Sequence, residues 1–353
     1  MKKHMKYRQK KRRRVDLSLL LLTLGAAAAA LFLVILSSFS LHKYFSEKAE
    51  AGQEQGEGSA ATTPAVVTEP QTAKVQEPIV RPQGVGAAEN YRALYFDLGK
   101  LETAQQLRAL AQQARDAGYT AVLIDAKAPS GLLHYASDVP TATALGLADA
   151  EKLTARQLIR ILHENNLFVT VRLCAFADNA AAAADPAMAL KTVQGDTFVQ
   201  DSARRLDPAS EKACDYALSL MRELDENGAD EISLCEFGYP LLGAEETAAG
   251  EEERFAAVAS FAASAQAAVR EAALSFEITP QELIAPKSAR TGIDLSVLRE
   301  RSTLFVLNCI GRTLTDNLRA AAADYTVRLF TESAEAVPSG FCGIAEQREL
   351  AGQ

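Results

Sequence analysis

The 353-residue chain contains no tryptophan, only four histidines and only five cysteines. Five cysteines do not build a disulfide framework in a chain of this size. Cys174, Cys235, Cys309 and Cys342 fall in strand-like runs and Cys214 on a helical one, where free cysteine behaves as a small buried hydrophobe. Beyond the first hundred residues the histidines are His134 and His163, with no close cysteine or histidine spacing around them. No metal site and no cofactor is implied. Gly84 and Gly86 have no preceding strand and no third glycine, which excludes a dinucleotide loop.

Positive charge is also short over most of the chain. Residues 1–16 hold nine Lys/Arg against Asp16, a net +8, which leaves −16 for the rest of a chain whose total is −8. A body that acidic excludes nucleic acid as a partner, because phosphate binding needs a basic surface. The adjoining segment accounts for the basic end. Residues 17–41, LSLLLLTLGAAAAALFLVILSSFSL, carry no charge and exceed the roughly 20 apolar residues that span a bilayer. Leu31 to Leu36 continue the apolar run past Ala26–Ala30, which favours an uncleaved anchor over a signal peptide with its shorter core. The basic flank keeps residues 1–16 in the cytoplasm by the positive-inside rule, so the rest of the chain is expected outside the cell membrane. Residues 42–90 mix Gly, Pro, Thr, Gln and Glu without period and read as a disordered tether.

From Tyr91 to about residue 348, runs rich in Val, Ile, Leu and Phe alternate with Ala-rich helical segments, the pattern of a parallel α/β sheet. Eight strands are predicted at 93–98, 121–126, 168–176, 231–237, 272–279, 303–309, 325–331 and 340–345. Helices are predicted near 103–117, 152–165, 208–227, 251–273, 294–301 and 315–323, with Thr103 and Asp207 as N-caps and Gly118 and Gly228 as stops. Eight strands over this length predict a (β/α)8 TIM-type barrel, its closing side made irregular by short last helices. The alternative is an open doubly wound sheet.

Barrel enzymes carry their chemistry at the carboxyl ends of strands. Here those ends hold Asp97, Asp125 with Lys127, Arg172, Glu236, Glu277 and Asn308. Period-two alternation turns Asp125, Lys127, Thr170, Arg172, Cys174, Ser233, Cys235, Ser275 and Glu277 toward the axis, and points Glu236 away unless a bulge intervenes.

Three segments from Tyr91 to about Phe330 resemble the bacterial, membrane-anchored or secreted barrel family known as the putative glycosyl hydrolase domain. VLIDAKAPSGLLHYASDVP is similar to its strand-two motif at Asp125, Lys127, Gly131, Tyr135, Ser137, Val139 and Pro140. VTVRLCAFADNAAAAADP matches at Arg172, Phe176, Asp178, Asp185 and Pro186, and the helix before strand four matches at Asp207, Pro208, Tyr216, Gly228 and Asp230–Ile232. Where the family has E-I-x-F-D-Y-V-R-F-P, this chain reads EISLCEFGYP, so Cys235 stands for the strand-four Asp and Gly238 for the Arg. Glu277 keeps the strand-five carboxylate, while the strand-six Tyr-Pro-Ser-His is absent.

The resemblance implies a TIM barrel that acts on an envelope or environmental glycan. Glycoside hydrolysis needs two carboxyl groups. The catalytic candidates are Glu277, Asp125 and, as a migrated replacement, Glu236. The substrate-binding candidates are Asp97, Lys127, Tyr135, Arg172, Phe176, Asp178, Tyr239 and Asn308. Tyr135, Phe176, Phe237 and Tyr239 stand in for the missing tryptophan as sugar platforms. Three readings remain: a membrane-tethered glycoside hydrolase, a degenerate barrel that binds glycan without cleaving it, and an envelope scaffold. Cys235→Asp with Gly238→Arg is expected to outperform either single change.

Overall fold

The computed structural model describes residue 81 and, with short interruptions around 102, 242–245, 300–303, 310–313 and 334–340, residues 91–346. The segments expected from the sequence to be a cytoplasmic tail (1–16), an anchor (17–41) and, nearly all of it, a tether (42–90) lie outside the described residues. No helix among the described residues is long and apolar enough to cross a membrane.

Eight strands pair in parallel around a closed ring: β1 (Arg92–Phe96), β2 (Ala121–Lys127), β3 (Phe168–Cys174), β4 (Glu231–Cys235), β5 (Ala273–Ile278), β6 (Leu304–Asn308), β7 (Thr326–Thr331) and β8 (Cys342–Glu346). Each predicted strand is present within a few residues of its expected ends. The strands close regularly, with Arg92–Tyr95 of β1 registered against Gly343–Glu346 of β8. The irregularity predicted for the closing side is not seen in its described strands, and the described helices there, Leu295–Arg299 and Asp316–Ala322, are short as expected.

The helices are α1 (Ala104–Asp116), α2 (Pro140–Ala144), α3 (Ala155–Glu164), α4 (Asn179–Ala184), α5 (Glu211–Glu226), α6 (Glu251–Ala268), α7 (Pro280–Ile284), α8 (Leu295–Arg299) and α9 (Asp316–Ala322). Thr103 caps α1 through a reciprocal box with Gln106, each side chain bonding the other's backbone N–H. Ser210, not Asp207, caps α5, because Asp207 spends its carboxylate on the backbone N–H of Ala209 one turn earlier. Gly118 and Gly228 come after their helices in the left-handed region, at φ +79° and +98°.

Alternation along the strands splits the apolar side chains into two cores. Leu94, Phe96, Val122, Ile124, Val171, Leu234, Phe276 and Leu307 face out and are buried under the helices. Tyr91, Ala93, Ala121, Leu123, Val306 and Ile344 face in and fill the barrel. The inner floor also contains a polar group. Arg328 of β7 donates to Glu231 of β4, and Ser275 Oγ donates to the same carboxylate at 2.7 Å. The Arg328 guanidinium lies 3.4 Å from the centre of the Tyr91 ring. Buried charges survive when paired and hydrogen-bonded in this way.

Candidate functional site at the barrel mouth

Above that floor, the inward positions at the carboxyl ends of β2, β3 and β5 bring Asp125, Arg172 and Glu277 together. Asp125 and Arg172 are register partners on neighbouring strands. Arg172 Nε and Nη2 donate to the two oxygens of Glu277 at 2.6 and 3.0 Å, and Nη1 donates to Asp125 Oδ1 at 3.3 Å. Tyr95, inward on β1, donates its phenol to Asp125 Oδ2 at 2.5 Å. Asn308 of β6 donates to Glu277 at 3.4 Å. Burial, and then the Asp125 charge, push the Tyr95 phenol well above its ordinary value. Desolvation opposes the Arg172 charge, but the Glu277 carboxylate hydrogen-bonded to it holds that guanidinium firmly protonated.

Glu277 and Asn308 also line a cavity of about 290 Å³ between the ends of β4 and β5, with Cys235, Glu236, Tyr239 and Ile293 among its other walls. A two-stranded hairpin, Lys287–Ser288 against Ile293–Asp294, closes one side. The carbonyl of Thr291, in the hairpin's turn, accepts the Tyr239 backbone N–H at 3.0 Å. A Cβ on Gly238 would come within 2.6 Å of that same carbonyl, so the hairpin occupies the space an arginine would need. The expectation that Cys235→Asp and Gly238→Arg cooperate is therefore corrected, because the second change collides with backbone. Cys235 is buried, and its thiol is pushed well above its usual range by burial and by its contact with Cys174. It supplies no charge at neutral pH.

The remaining sequence candidates are dispersed. Glu236 sits at φ +51°, and its half-exposed carboxylate pairs with Arg205 at 2.8 Å on the cavity rim, away from Arg172. Lys127 does not take the axis position that alternation assigns it. The ladder slips one residue between Asp125 and Lys127, which breaks the period of two. Its ammonium instead lies fully buried, 2.8 Å from Asp178 and 3.2 Å from the Ala175 carbonyl, with the Tyr216 ring 5.2 Å away. Asp178 is thereby committed to Lys127 and to capping α4. Tyr135 is buried beneath α5, where its hydroxyl donates to Glu223 at 2.7 Å, and Phe176 packs on Phe261 at 4.7 Å between ring centres. Neither presents a ring to the cavity. Asp97 caps the turn at Gly99 and pairs with Lys100 at 3.0 Å. Tyr239 lines the cavity while donating its hydroxyl to Asp207 at 3.3 Å.

Sequence reasoning missed Tyr95, Arg205 and the Cys174–Cys235 contact. Counting by twos from Tyr91 along β1 finds Tyr95; no signal marks Arg205, which arrives on a loop.

Residues 93–301 match the family described as "Putative glycosyl hydrolase domain". The chain belongs to this family. No curated protein matches the sequence. Among solved structures, the family member shares 10% identity with the catalytic domain of β-amylase from Paenibacillus polymyxa, over 74% of this chain and 93% of that one, at a TM-score of 0.50. A hypothetical protein from Ruminiclostridium thermocellum ATCC 27405 is 22% identical over 52% of this chain and 96% of its own, at 0.47. The α-galactosidase TtGalA of Thermus thermophilus is 16% identical over 62% of this chain, at 0.42, and this chain spans only 42% of it. The β-amylase likeness establishes the fold.

Proposed function

We propose that this family member binds carbohydrate at the mouth of its barrel and does not cleave it by the two-carboxylate route. The observation that carries the reading is that one guanidinium, Arg172, takes both Asp125 and Glu277. Hydrolysis by that route requires one carboxyl to carry a proton to the leaving oxygen. Here all four carboxylate oxygens of the pair already accept hydrogen bonds, from Arg172 or from the Tyr95 hydroxyl, so both groups are arranged as acceptors and neither is aimed to deliver a proton. Cys235 at the end of β4 offers no third carboxylate, and Glu236 is turned to Arg205. What the mouth does offer is a fixed set of donors and acceptors from Asp125, Arg172, Glu277 and Asn308, the kind of group that sugar hydroxyls satisfy.

The reading extends to placement. Residues 17–41 anchor the chain in the membrane with residues 1–16 in the cytoplasm, and the 42–90 tether carries the barrel outside to meet an envelope or environmental glycan. Its support is the uncharged run and its basic flank. Protease added to intact spheroplasts should cut the tether and release the domain, and complete protection beside a digested outer-face control would reverse the orientation.

The binding claim is tested by presenting the full-length protein to a glycan library and assaying both retention and new reducing ends. Retention without reducing ends, lost in Arg172→Ala, supports it. A second reading, hydrolysis with Glu277 as nucleophile, rests on the convergence of two carboxylates on one guanidinium. Reducing ends released by wild type and lost in Glu277→Gln would establish that reading and overturn the first.

A further inference from the structure

Cys174 ends β3 and Cys235 ends β4, and the two are register partners in neighbouring parallel strands. Both side chains share the inward face. Their Cα atoms therefore stand about one strand spacing apart, ~4.8 Å, inside the ~4.4–6.8 Å that a disulfide bridges. The sulfurs are 2.6 Å apart, about 0.6 Å beyond a covalent S–S bond. Both are free thiols, and both are buried. They differ in access. Cys235 forms part of the cavity wall, whereas Cys174 is fully enclosed behind it.

We infer that Cys174 and Cys235 are a redox-active dithiol that closes to a disulfide across the floor of the mouth, with a small-molecule or protein-borne disulfide as oxidant. Access fixes the order of events. The Cys235 thiolate, reached through the cavity, attacks one sulfur of the incoming disulfide and expels the other as a thiolate. The Cys174 thiolate then attacks Cys235 Sγ in the mixed disulfide, forming the Cys174–Cys235 bond and expelling the second thiolate. Two electrons pass from the cysteine pair to the incoming disulfide, and the two cysteine protons end on the two released thiols. Because the thiolate is the attacking species and Cys235 is pushed up by burial, exchange is slow at neutral pH and faster in mild alkali. Cys174 shares a strand face with Arg172 two residues away, so closure ties down the strand that carries the guanidinium. The bond also closes a loop across 61 residues of sequence, and a cross-link of that length restrains the unfolded chain.

The test incubates the reduced full-length protein with oxidised glutathione in mild alkali, then denatures it in excess maleimide and reads thiols by intact mass. Two of the five thiols should disappear, a Cys174–Cys235 peptide pair should appear in a non-reducing digest, and dithiothreitol should reverse both. The oxidised form should melt at a higher temperature than the reduced one. Cys174→Ala and Cys235→Ala should each keep all four remaining thiols, apart from a glutathione adduct that persists on Cys235 in the first. Five thiols remaining in wild type after prolonged exposure, a glutathione adduct on Cys235 that never resolves, or a disulfide to any other cysteine would each overturn the assignment. None of these readouts depends on whether a glycan binds.

Discussion

Arg172 grips Glu277 through two parallel hydrogen bonds and reaches Asp125 with a third, so one cation on β3 organises acidic groups delivered by β2 and β5. The forked, planar guanidinium makes this possible, and a lysine ammonium cannot reproduce it. Arg172→Lys should therefore fold but lose most glycan retention. Arg172→Ala should in addition lose about 2–3 kcal/mol of stability, less than the ~3–5 expected for a fully buried pair, because the mouth is open to water. Urea unfolding beside glycan retention separates the two effects, and full retention in Arg172→Lys would show that its bidentate geometry is unimportant.

The barrel floor behaves differently, because Glu231 is fully buried and Arg328 nearly so. Arg328→Met leaves the Glu231 carboxylate uncompensated, and should cost roughly 3–5 kcal/mol. Adding Glu231→Gln should recover a large part of that loss, since the stranded charge is gone. Equilibrium unfolding of the two variants checks this, and equal instability in both would place the cost in packing and not in charge.

Alkali should weaken the fold in a defined window. Burial raises the Tyr91 phenol to about 12, partly offset by Arg328, and raises the Cys214 thiol to about 11. Both groups hold their protons more tightly folded than unfolded. The unfolded chain loses them first, so stability falls as pH rises from the unfolded values through the folded ones. For Tyr91 the window is about 10 to 12 and the loss roughly 2–3 kcal/mol. Tyr91→Phe, which also forfeits the hydrogen bond to Thr170, should be less stable at neutral pH but flatter across that window. A Tyr91→Phe profile as steep as wild type would assign the alkaline loss elsewhere.

The barrel is legible in the sequence because its strands alternate over most of their length. Val122 and Ile124 against Ala121, Leu123 and Asp125, or Val169 and Val171 against Thr170 and Arg172, state which face meets the helices. The same rule places Asp125, Arg172 and Glu277 at one mouth. It fails where the ladder slips after Asp125, since a one-residue shift changes the side to which Lys127 points. Tyr135 and Phe176 escape it for another reason. Aromatic residues near strand ends serve a packed core as readily as a binding surface, and the partners that decide, Glu223 and Phe261, arrive from distant helices. The hairpin at 287–294 gives no signal in a segment of mixed polarity, and with it the crowding at Gly238 stays hidden.

That crowding decides the most direct test of degeneracy. The sequence resemblance sets Cys235 against a family Asp, and the structure places it at the end of β4 on the wall of the cavity. Cys235→Asp brings a third carboxylate to a site served by one guanidinium, and should cost about 1–3 kcal/mol. It also gives Arg172 an alternative partner, freeing an oxygen of Glu277 or Asp125 from its hydrogen bond to that guanidinium. The single variant is therefore expected to release reducing ends from a glycan that wild type binds intact. Gly238→Arg should not help, because even a Cβ there lies 2.6 Å from the Thr291 carbonyl and the hairpin must leave to admit it. Gly238→Ala isolates that clash, and should lower the melting temperature without changing the charge at the mouth. The double variant should then be the least stable of the set and no more active than Cys235→Asp alone. If Cys235→Asp folds, retains glycan and releases nothing, a carboxylate at the end of β4 is not what the proposed lack of cleavage turns on, and the grip of Arg172 on Glu277 is the cause left to test.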